Sequence, residues 1–116
     1  MPSLPGYTRW IEAGGFAGVV NFRWQRGTDA LPPHVAGHVG YAVVPARRGQ
    51  GIATRALALI LVEARAVGLA AVELTAEPAN LPSVRVIEAN GGAMVGLEDE
   101  PEALGGRRVA RYRIAL

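Results

Sequence analysis

The chain has 116 residues and a formal net charge of +2, and this length fits a single domain, residues 1–116, with its own core. It has no cysteine, which excludes a disulfide framework, a thiolate metal site and a cysteine-bound acyl intermediate. Half of its residues are hydrophobic, but charged residues break every apolar run before it reaches the roughly 18 residues of a membrane span, so we expect no membrane partner.

Three strands are predicted in the first part of the chain. Residues 9–13 and 16–24 flank Gly14-Gly15, and a Gly-Gly pair supplies the positive φ angles of a tight hairpin turn. Residues 26–33, with two prolines, are predicted to form a surface loop. Residues 38–44 are predicted to form a third strand, which ends at Pro45 because proline cannot donate within a sheet. We expect Trp10 and Trp24 to lie in the core or an interface.

The second part of the chain predicts a helix, a strand, a helix and a closing hairpin. From Ile52 to Val67 apolar residues recur at steps of three and four, and Gly68 is placed to end the helix. The remaining predicted elements are a strand at 70–76, a helix at 81–89, and strands at 93–97 and 108–114 around an acidic loop. The order β-β-β-α-β-α-β-β indicates an α+β or mixed α/β fold. The long crossover helix predicts that the third and fourth strands form a parallel pair.

The turn before the first helix has the composition of a phosphate-binding loop. Backbone N–H groups at a helix N-terminus lack intrahelical partners, and the helix dipole favours an anion there. Gly49 and Gly51 allow the main chain to approach a ligand closely, and Arg47 and Arg48 add donors suited to phosphate. The alternative interpretation is an ordinary strand-to-helix loop with solvated arginines. The P-loop and dinucleotide-binding signatures are both absent.

Two blocks of the sequence resemble a known family. Arg48-x-x-Gly51-x-Ala53 resembles the coenzyme A pyrophosphate signature of the GCN5-related N-acetyltransferase (GNAT) superfamily, Arg/Gln-x-x-Gly-x-Gly/Ala. In the second block Asn80, Ser83 and Gly91 match the superfamily pattern, whereas Ile87 stands where a tyrosine is usual. Two segments, Gly-His-Val-Gly-Tyr at 37–41 and Ile-Glu-Ala-Asn-Gly-Gly at 87–92, are similar to a subgroup of predicted acetyltransferases.

The resemblance implies a GNAT-like central mixed sheet without the first strand and two helices that usually begin the domain. We expect a shortened protein, a fragment, or a chain whose open edge is covered by a partner subunit, and we favour a homodimer. The implied co-substrate is acetyl-CoA, the implied acceptor is an amine, and no metal is implied. The first residues lack the features of a signal peptide, so a cytoplasmic location is expected.

The resemblance also implies where the coenzyme binds. The third strand is expected to diverge from the strand at 71–76, and the pantetheine arm is expected to enter the gap like an added strand. A backbone N–H at this strand end is expected to polarise the thioester carbonyl. The expected contacts are the backbone of Val43 and Val44, the loop and helix start at Arg48, Gly49, Gln50, Gly51, Ile52, Ala53 and Thr54, and the side chains of Asn80 and Ser83.

The catalytic groups are less determined. The attacking amine must lose a proton and the leaving thiolate must gain one, so a base and an acid are expected near the gap. Because Ile87 replaces the usual acid, Tyr41 or Tyr112 is a substitute. His38 has a suitable intrinsic pKa for the base, but a strand histidine bonded to the neighbouring loop is the other interpretation. Further candidates for the base are Glu73 and Glu77.

The sequence therefore predicts an acyl-CoA-dependent N-acetyltransferase that transfers acetyl to an amine by direct attack. The alternative is a catalytically inactive module for coenzyme A binding or dimerisation, which Ile87 and the missing front elements favour. A nucleic-acid partner is not expected, because the arginines are scattered and no basic helix is visible.

Overall fold

The computed structural model describes residues 5–31, 37–49, 51–100, 102 and 105–116. Two predicted sites of interest fall partly outside these ranges, since Gln50 of the phosphate-binding turn and the end of the 26–33 loop are not among them. The elements are β1 (Gly6–Glu12), β2 (Phe16–Arg23), β3 (Val39–Val43), a 3₁₀ turn (Pro45–Arg47), α1 (Ile52–Ala66), β4 (Ala71–Ala76), α2 (Leu81–Ala89), β5 (Ala93–Asp99) and β6 (Arg108–Ala115). This confirms the predicted order and fold class.

The strands form two antiparallel sheets of three strands each. The first sheet has the order β1-β2-β3, and the second has the order β4-β6-β5. Both predicted hairpins are present, and Gly14 and Gly15 take φ angles of 74° and 123° in the turn between β1 and β2. The predicted parallel pair is wrong as a ladder, because within the residues that the structure describes β3 and β4 belong to different sheets.

The two sheets are joined at the residue that precedes β3. His38 N–H donates to the carbonyl of Glu73 at 2.8 Å, and Glu73 N–H donates to Nδ1 of His38 at 2.9 Å. Because Nδ1 accepts, Nε2 carries the ring hydrogen and donates to the carbonyl of Asp29 at 2.9 Å. His38 is 1% exposed. This histidine therefore connects the second sheet, the first sheet and the loop after β2.

A glycine allows the two sheets to approach at this joint. A Cβ on Gly37 would lie 2.7 Å from the carbonyl oxygen of Glu73 and 3.1 Å from Cα of Leu74. Both neighbours are backbone atoms, which cannot rotate away as a side chain can. Gly37 is thus the residue that sets how closely β3 starts beside β4.

Both helices pack on one face of the two sheets and form a single core with them. Along α1 the buried residues include Leu57, Ile60 and Ala64, as the spacing predicted, whereas Val67 lies beyond the helix and is exposed. Alternate residues of the strands point into this core, among them Val20, Phe22, Val39, Val72, Leu74, Tyr112 and Ile114. We call this side of the sheets the helical face and the opposite side the outer face. Neither helix in the described part of the chain is long and apolar enough to cross a membrane.

Replacing Gly37 by alanine is expected to separate the two sheets. The new methyl group would overlap with the β4 backbone, so we expect Gly37→Ala to lower the free energy of unfolding by about 1 to 3 kcal/mol. The measurement is the midpoint of urea denaturation. Gly96→Ala is the matched control, because a Cβ on that β5 residue meets no atom within 4 Å. Equal midpoints for the two variants would contradict the role of Gly37.

Candidate functional site

The end of β3 directs backbone groups away from β2, toward β4. Val44 N–H donates to the carbonyl of Ala17 at 2.8 Å, on the β2 side. In an antiparallel ladder the bonding direction alternates from residue to residue, so Tyr41 and Val43 direct their N–H and C=O groups away from β2. Of the two predicted backbone contacts, Val43 therefore faces the space beside β4, and Val44 faces β2.

The edge of β4 that faces β3 also directs backbone groups into the space between the two strands. Leu116 N–H donates to the carbonyl of Ala70 at 2.9 Å, which sets the alternation between β4 and β6. Glu73 and Thr75 then direct their backbone groups toward β3. Glu73 uses them at the His38 joint, whereas Thr75 lies past the joint, where the strands diverge. The backbone of Val43 and the backbone of Thr75 therefore line an open gap between the two sheets.

The start of α1 supplies backbone N–H groups that have no partner within the helix. Gly49 and Gly51 have φ angles of 78° and 73°, a left-handed conformation that glycine adopts without strain. The first bond of the helix runs from Arg55 N–H to the carbonyl of Gly51 at 3.1 Å, and no side chain caps the helix. The N–H groups of Ile52, Ala53 and Thr54 thus have no helical partner and point toward the loop.

Two arginines connect the loop to the strands. Arg48 Nε donates to the carbonyl of Val43 at 3.0 Å, and the guanidinium is exposed. Arg47 donates through Nη2 to the carbonyl of Ala13, in the turn between β1 and β2. The first contact holds a cation at the mouth of the gap, and the second fixes the loop against the first sheet.

The N-terminus of α2 forms the other side of the site. Asn80 is its N-cap, and the Asn80 side chain accepts a hydrogen bond from Ser83 N–H at 3.4 Å. The Ser83 hydroxyl lies 2.9 Å from the hydroxyl of Tyr41, which also donates to the Ser83 carbonyl at 3.3 Å. Two predicted site residues on different elements, Tyr41 and Ser83, are therefore in direct contact.

Tyr41 is held as a neutral phenol. Burial raises its pKa, and the hydrogen bond with Ser83 offsets part of that rise. A tyrosine in this state keeps its proton near neutral pH and is available as a proton donor. The other predicted acid, Tyr112, lies in the core on β6 and is 6% exposed. Ile87, where the resemblance led us to expect a tyrosine, is 1% exposed and belongs to the same core.

The imidazole of His38 is fully hydrogen-bonded at the joint between the two sheets. Both ring nitrogens are bonded to backbone groups of Glu73 and Asp29, and burial lowers the pKa of the ring. In this arrangement neither nitrogen is available to take a proton from an amine. The geometry matches the interpretation of His38 as a strand histidine bonded to the neighbouring loop.

The two candidate carboxylates are held by arginines. The side chain of Glu73 lies on the outer face, where Oε1 is 3.3 Å from Nη1 of Arg111 and Oε2 is 3.9 Å from Nη1 of Arg113. Glu77, one residue after β4, is 2.8 Å from Nη1 of Arg107. Glu73 is therefore the candidate base that lies beside the gap on the side away from the helices.

One positioning residue was not assigned by sequence reasoning. Asn90 Nδ2 donates to the carbonyl of Thr54 at 3.2 Å and to that of Val86 at 3.0 Å, which ties the end of α2 to the first turn of α1. Its place in the Ile-Glu-x-Asn-Gly-Gly segment was the available signal. The distance between the two helices, on which this contact depends, cannot be read from the order of residues.

Comparison with known proteins agrees with this geometry. The chain matches the family described as "Acetyltransferase (GNAT) domain" over residues 3–93. No curated protein matches it in sequence. Among solved structures, the RimJ protein of Mycobacterium smegmatis in complex with CoA-disulfide is 30% identical with a TM-score of 0.75, and the match covers 95% of this chain and 53% of that one.

Two further structures share the fold at lower identity. The microcin C7 self-immunity acetyltransferase MccE, in complex with acetyl-CoA and AMP, is 20% identical with a TM-score of 0.78, covering 96% of this chain and 61% of that one. YncA of Salmonella typhimurium, in a structure with acetyl-CoA, is 23% identical with a TM-score of 0.70, and the match covers 89% of this chain and 60% of that one. The chain thus spans about three fifths of the length of these proteins. With residues 3–93 matching the family and the fold shared, the chain belongs to the GNAT acetyltransferase family.

Proposed function

We propose that this protein is a cytoplasmic N-acetyltransferase that binds acetyl-CoA in the gap between β3 and β4 and transfers the acetyl group to an amine. The observation that carries the proposal is the gap itself. There the Val43 N–H and the backbone groups of Thr75, which have no hydrogen-bond partner among the described residues, lie beside N–H groups at the start of α1 that have no partner within the helix. Solved GNAT structures that share the fold contain acetyl-CoA, which supports this choice of donor.

The donor is assigned to the helical face of the gap. The pyrophosphate would bind the N–H groups of residues 52–54 and the guanidinium of Arg48, which already lies at the Val43 carbonyl. Gln50, which we also predicted as a contact, lies outside the described residues. The amide-bearing pantetheine arm would pair with the exposed edge of β3 as an added strand does. Val43 N–H, rather than that of Val44, would then polarise the thioester carbonyl.

The transfer step uses groups on opposite sides of the gap. The amine nitrogen attacks the thioester carbon, the C–S bond breaks, and an amide C–N bond forms. Tyr41 lies on the helical face with its hydroxyl at Ser83, and we assign it as the acid that protonates the leaving thiolate. Glu73, on the outer face, is the carboxylate assigned to accept the proton that the amine loses.

A second candidate function is binding of coenzyme A without turnover. The burial of Ile87 favours it, because the position that usually carries the acid is part of the core. In this case the protein binds acetyl-CoA and acetylates no amine. The two candidates therefore agree on the donor site and differ in whether Tyr41 takes part in catalysis.

Removing the Arg48 guanidinium tests the donor site. We expect Arg48→Ala to weaken coenzyme A binding by about 1 to 3 kcal/mol, because a charged donor to the pyrophosphate is lost while the fold is unchanged. Calorimetric titration gives the dissociation constant. Arg65→Ala, an exposed arginine in the last turn of α1, is the control and should bind as the wild type does. An unchanged affinity in Arg48→Ala would refute the assignment.

Removing the Tyr41 hydroxyl tests the acid. We expect Tyr41→Phe to lower kcat by about 10² to 10⁴-fold with little change in the dissociation constant of acetyl-CoA. Tyr112→Phe, in the core, is the control and should keep wild-type kcat. The measurement is thiol release in the presence of a panel of amines. Turnover by the wild type together with an unchanged kcat in Tyr41→Phe would remove Tyr41 from the mechanism.

We also propose that the protein is a homodimer. Trp10 and Phe16, at the end of the first hairpin, are 76% and 54% exposed and contact each other edge to face at 6.0 Å. An exposed aromatic pair of this kind is typical of an interface. Light scattering should give the mass of a dimer for the wild type and of a monomer for Trp10→Arg. A monomeric wild type at micromolar concentration would contradict the proposal.

A further inference from the structure

The outer face of the first sheet carries two polar side chains on β2, beside the half of β3 that starts at the His38 joint. Residues alternate between faces along a strand, and Val20 and Phe22 of β2 point into the core, so Asn21 and Arg23 point to the outer face. On the neighbouring strand β3, the outer-face positions are Gly40 and Ala42. These two small residues leave space above the strand that leads to the gap.

The polar ends of both side chains meet above Gly40. A Cβ on Gly40 would lie 2.8 Å from Oδ1 of Asn21 and 3.8 Å from Nη1 of Arg23. The amide and the guanidinium therefore lie side by side over the same backbone position. Gly40 is the residue that makes room for them, since any side chain there would displace the Asn21 amide.

Neither group has a hydrogen-bond or ion-pair partner among the described residues. Across the residues that the structure describes, no hydrogen bond or ion pair involves the side chain of Asn21 or Arg23. Arg23 is partly buried, and burial lowers its pKa with no nearby carboxylate to oppose the effect. The outer-face arginines of the second sheet differ, because Arg111 and Arg113 contact Glu73.

A partly desolvated guanidinium without a counterion is a binding site for an anion. Arginine presents planar paired donors that match the two oxygens of a carboxylate, and the adjacent amide can add a third donor. None of the described residues fills this site, so it is open to a ligand. The donor enters on the helical face, so the outer face is the side that remains open to the acceptor.

We propose that Asn21 and Arg23 bind the carboxylate of the acceptor, and that the acceptor is therefore an amine bearing a carboxylate close to its nitrogen, as in an α-amino acid. This inference rests on the proposed acetyltransferase function. It adds the chemical class of the acceptor and two residues that recognise it.

The spacing along β3 agrees with an acceptor of this size. The strand rises about 3.3 Å per residue, so Gly40 lies on the order of 7 to 10 Å from the strand end at Ala42 and Val43. A hydrogen bond to the guanidinium and the approach of the nitrogen to the thioester each take up about 3 Å. The few ångströms that remain correspond to the separation of an α-amine from its own carboxylate oxygens.

The test compares matched acceptors in wild-type and variant proteins. The acceptors are a panel of L-α-amino acids, the corresponding amino acid amides and the corresponding decarboxylated amines. In the wild type we expect kcat/KM to be higher for the amino acids. In Arg23→Ala we expect kcat/KM for the amino acids to fall by about tenfold or more while the values for the amides stay the same. Gly40→Ala, which displaces the Asn21 amide, should act in the same direction.

Two controls separate recognition from a structural effect. Arg26→Ala changes a nearby exposed arginine and should behave as the wild type. Arg23→Lys keeps the charge but not the paired donors, so it should recover part of the preference for amino acids. An equal loss for amino acids and amides in Arg23→Ala would show that Arg23 only supports the fold. A wild type that prefers the amides would also overturn the proposal.

Direct binding distinguishes failure of this inference from failure of the proposed function. N-acetyl derivatives of the same amino acids, which carry the carboxylate and need no turnover, are titrated into the protein with coenzyme A present. Absence of turnover with every amine would refute the acetyltransferase function, yet binding of an N-acetyl amino acid that Arg23→Ala abolishes would still support the anion site. No binding of any of these compounds to the wild type would overturn it.

Discussion

The site depends on one joint between the two sheets. His38 and Glu73 exchange hydrogen bonds through both their backbones and the imidazole, and Gly37 allows the two chains to approach without a Cβ between them. Because β3 and β4 are held together there, at the start of β3, and follow different sheets beyond that point, their backbone groups separate toward the end of β3. Backbone N–H and C=O groups that are removed from water need hydrogen-bond partners. The separated ends of β3 and β4 can therefore bind a ligand that carries amide groups of its own.

The polar groups around the gap differ between the helical face and the outer face of the sheets. On the helical face lie the start of α1, Arg48 and the contact between Tyr41 and Ser83, all suited to a phosphate-bearing donor and its leaving group. On the outer face lie Glu73 and, above Gly40, the side chains of Asn21 and Arg23. A donor and an acceptor that enter from opposite sides meet between the strands, where the thioester carbon would be reached by the amine without crossing the bound coenzyme.

Much of this arrangement could be predicted from the sequence, and the reasons are local. The spacing of apolar residues predicted α1 and α2, and the Gly-Gly pair predicted the first hairpin. Gly49 and Gly51, in the predicted phosphate-binding turn, indicated the start of α1. We predicted a parallel ladder between β3 and β4, because chain order cannot show that two neighbouring strands belong to different sheets. The occupation of both His38 nitrogens and the contact between Tyr41 and Ser83 depend on tertiary distances. The sequence does not distinguish Arg23 from the other eleven arginines, whereas the structure shows that its side chain has no partner among the described residues.

The central claim, that the open strand ends and the start of α1 receive acetyl-CoA, is tested most directly by amide hydrogen exchange with and without the compound. We predict slower exchange at Val43, at Thr75 and at residues 52–54, whose N–H groups have no partner among the described residues, and little change at Val44, which is already bonded to Ala17. Slower exchange confined to other regions, or none while acetyl-CoA is bound, would contradict the account.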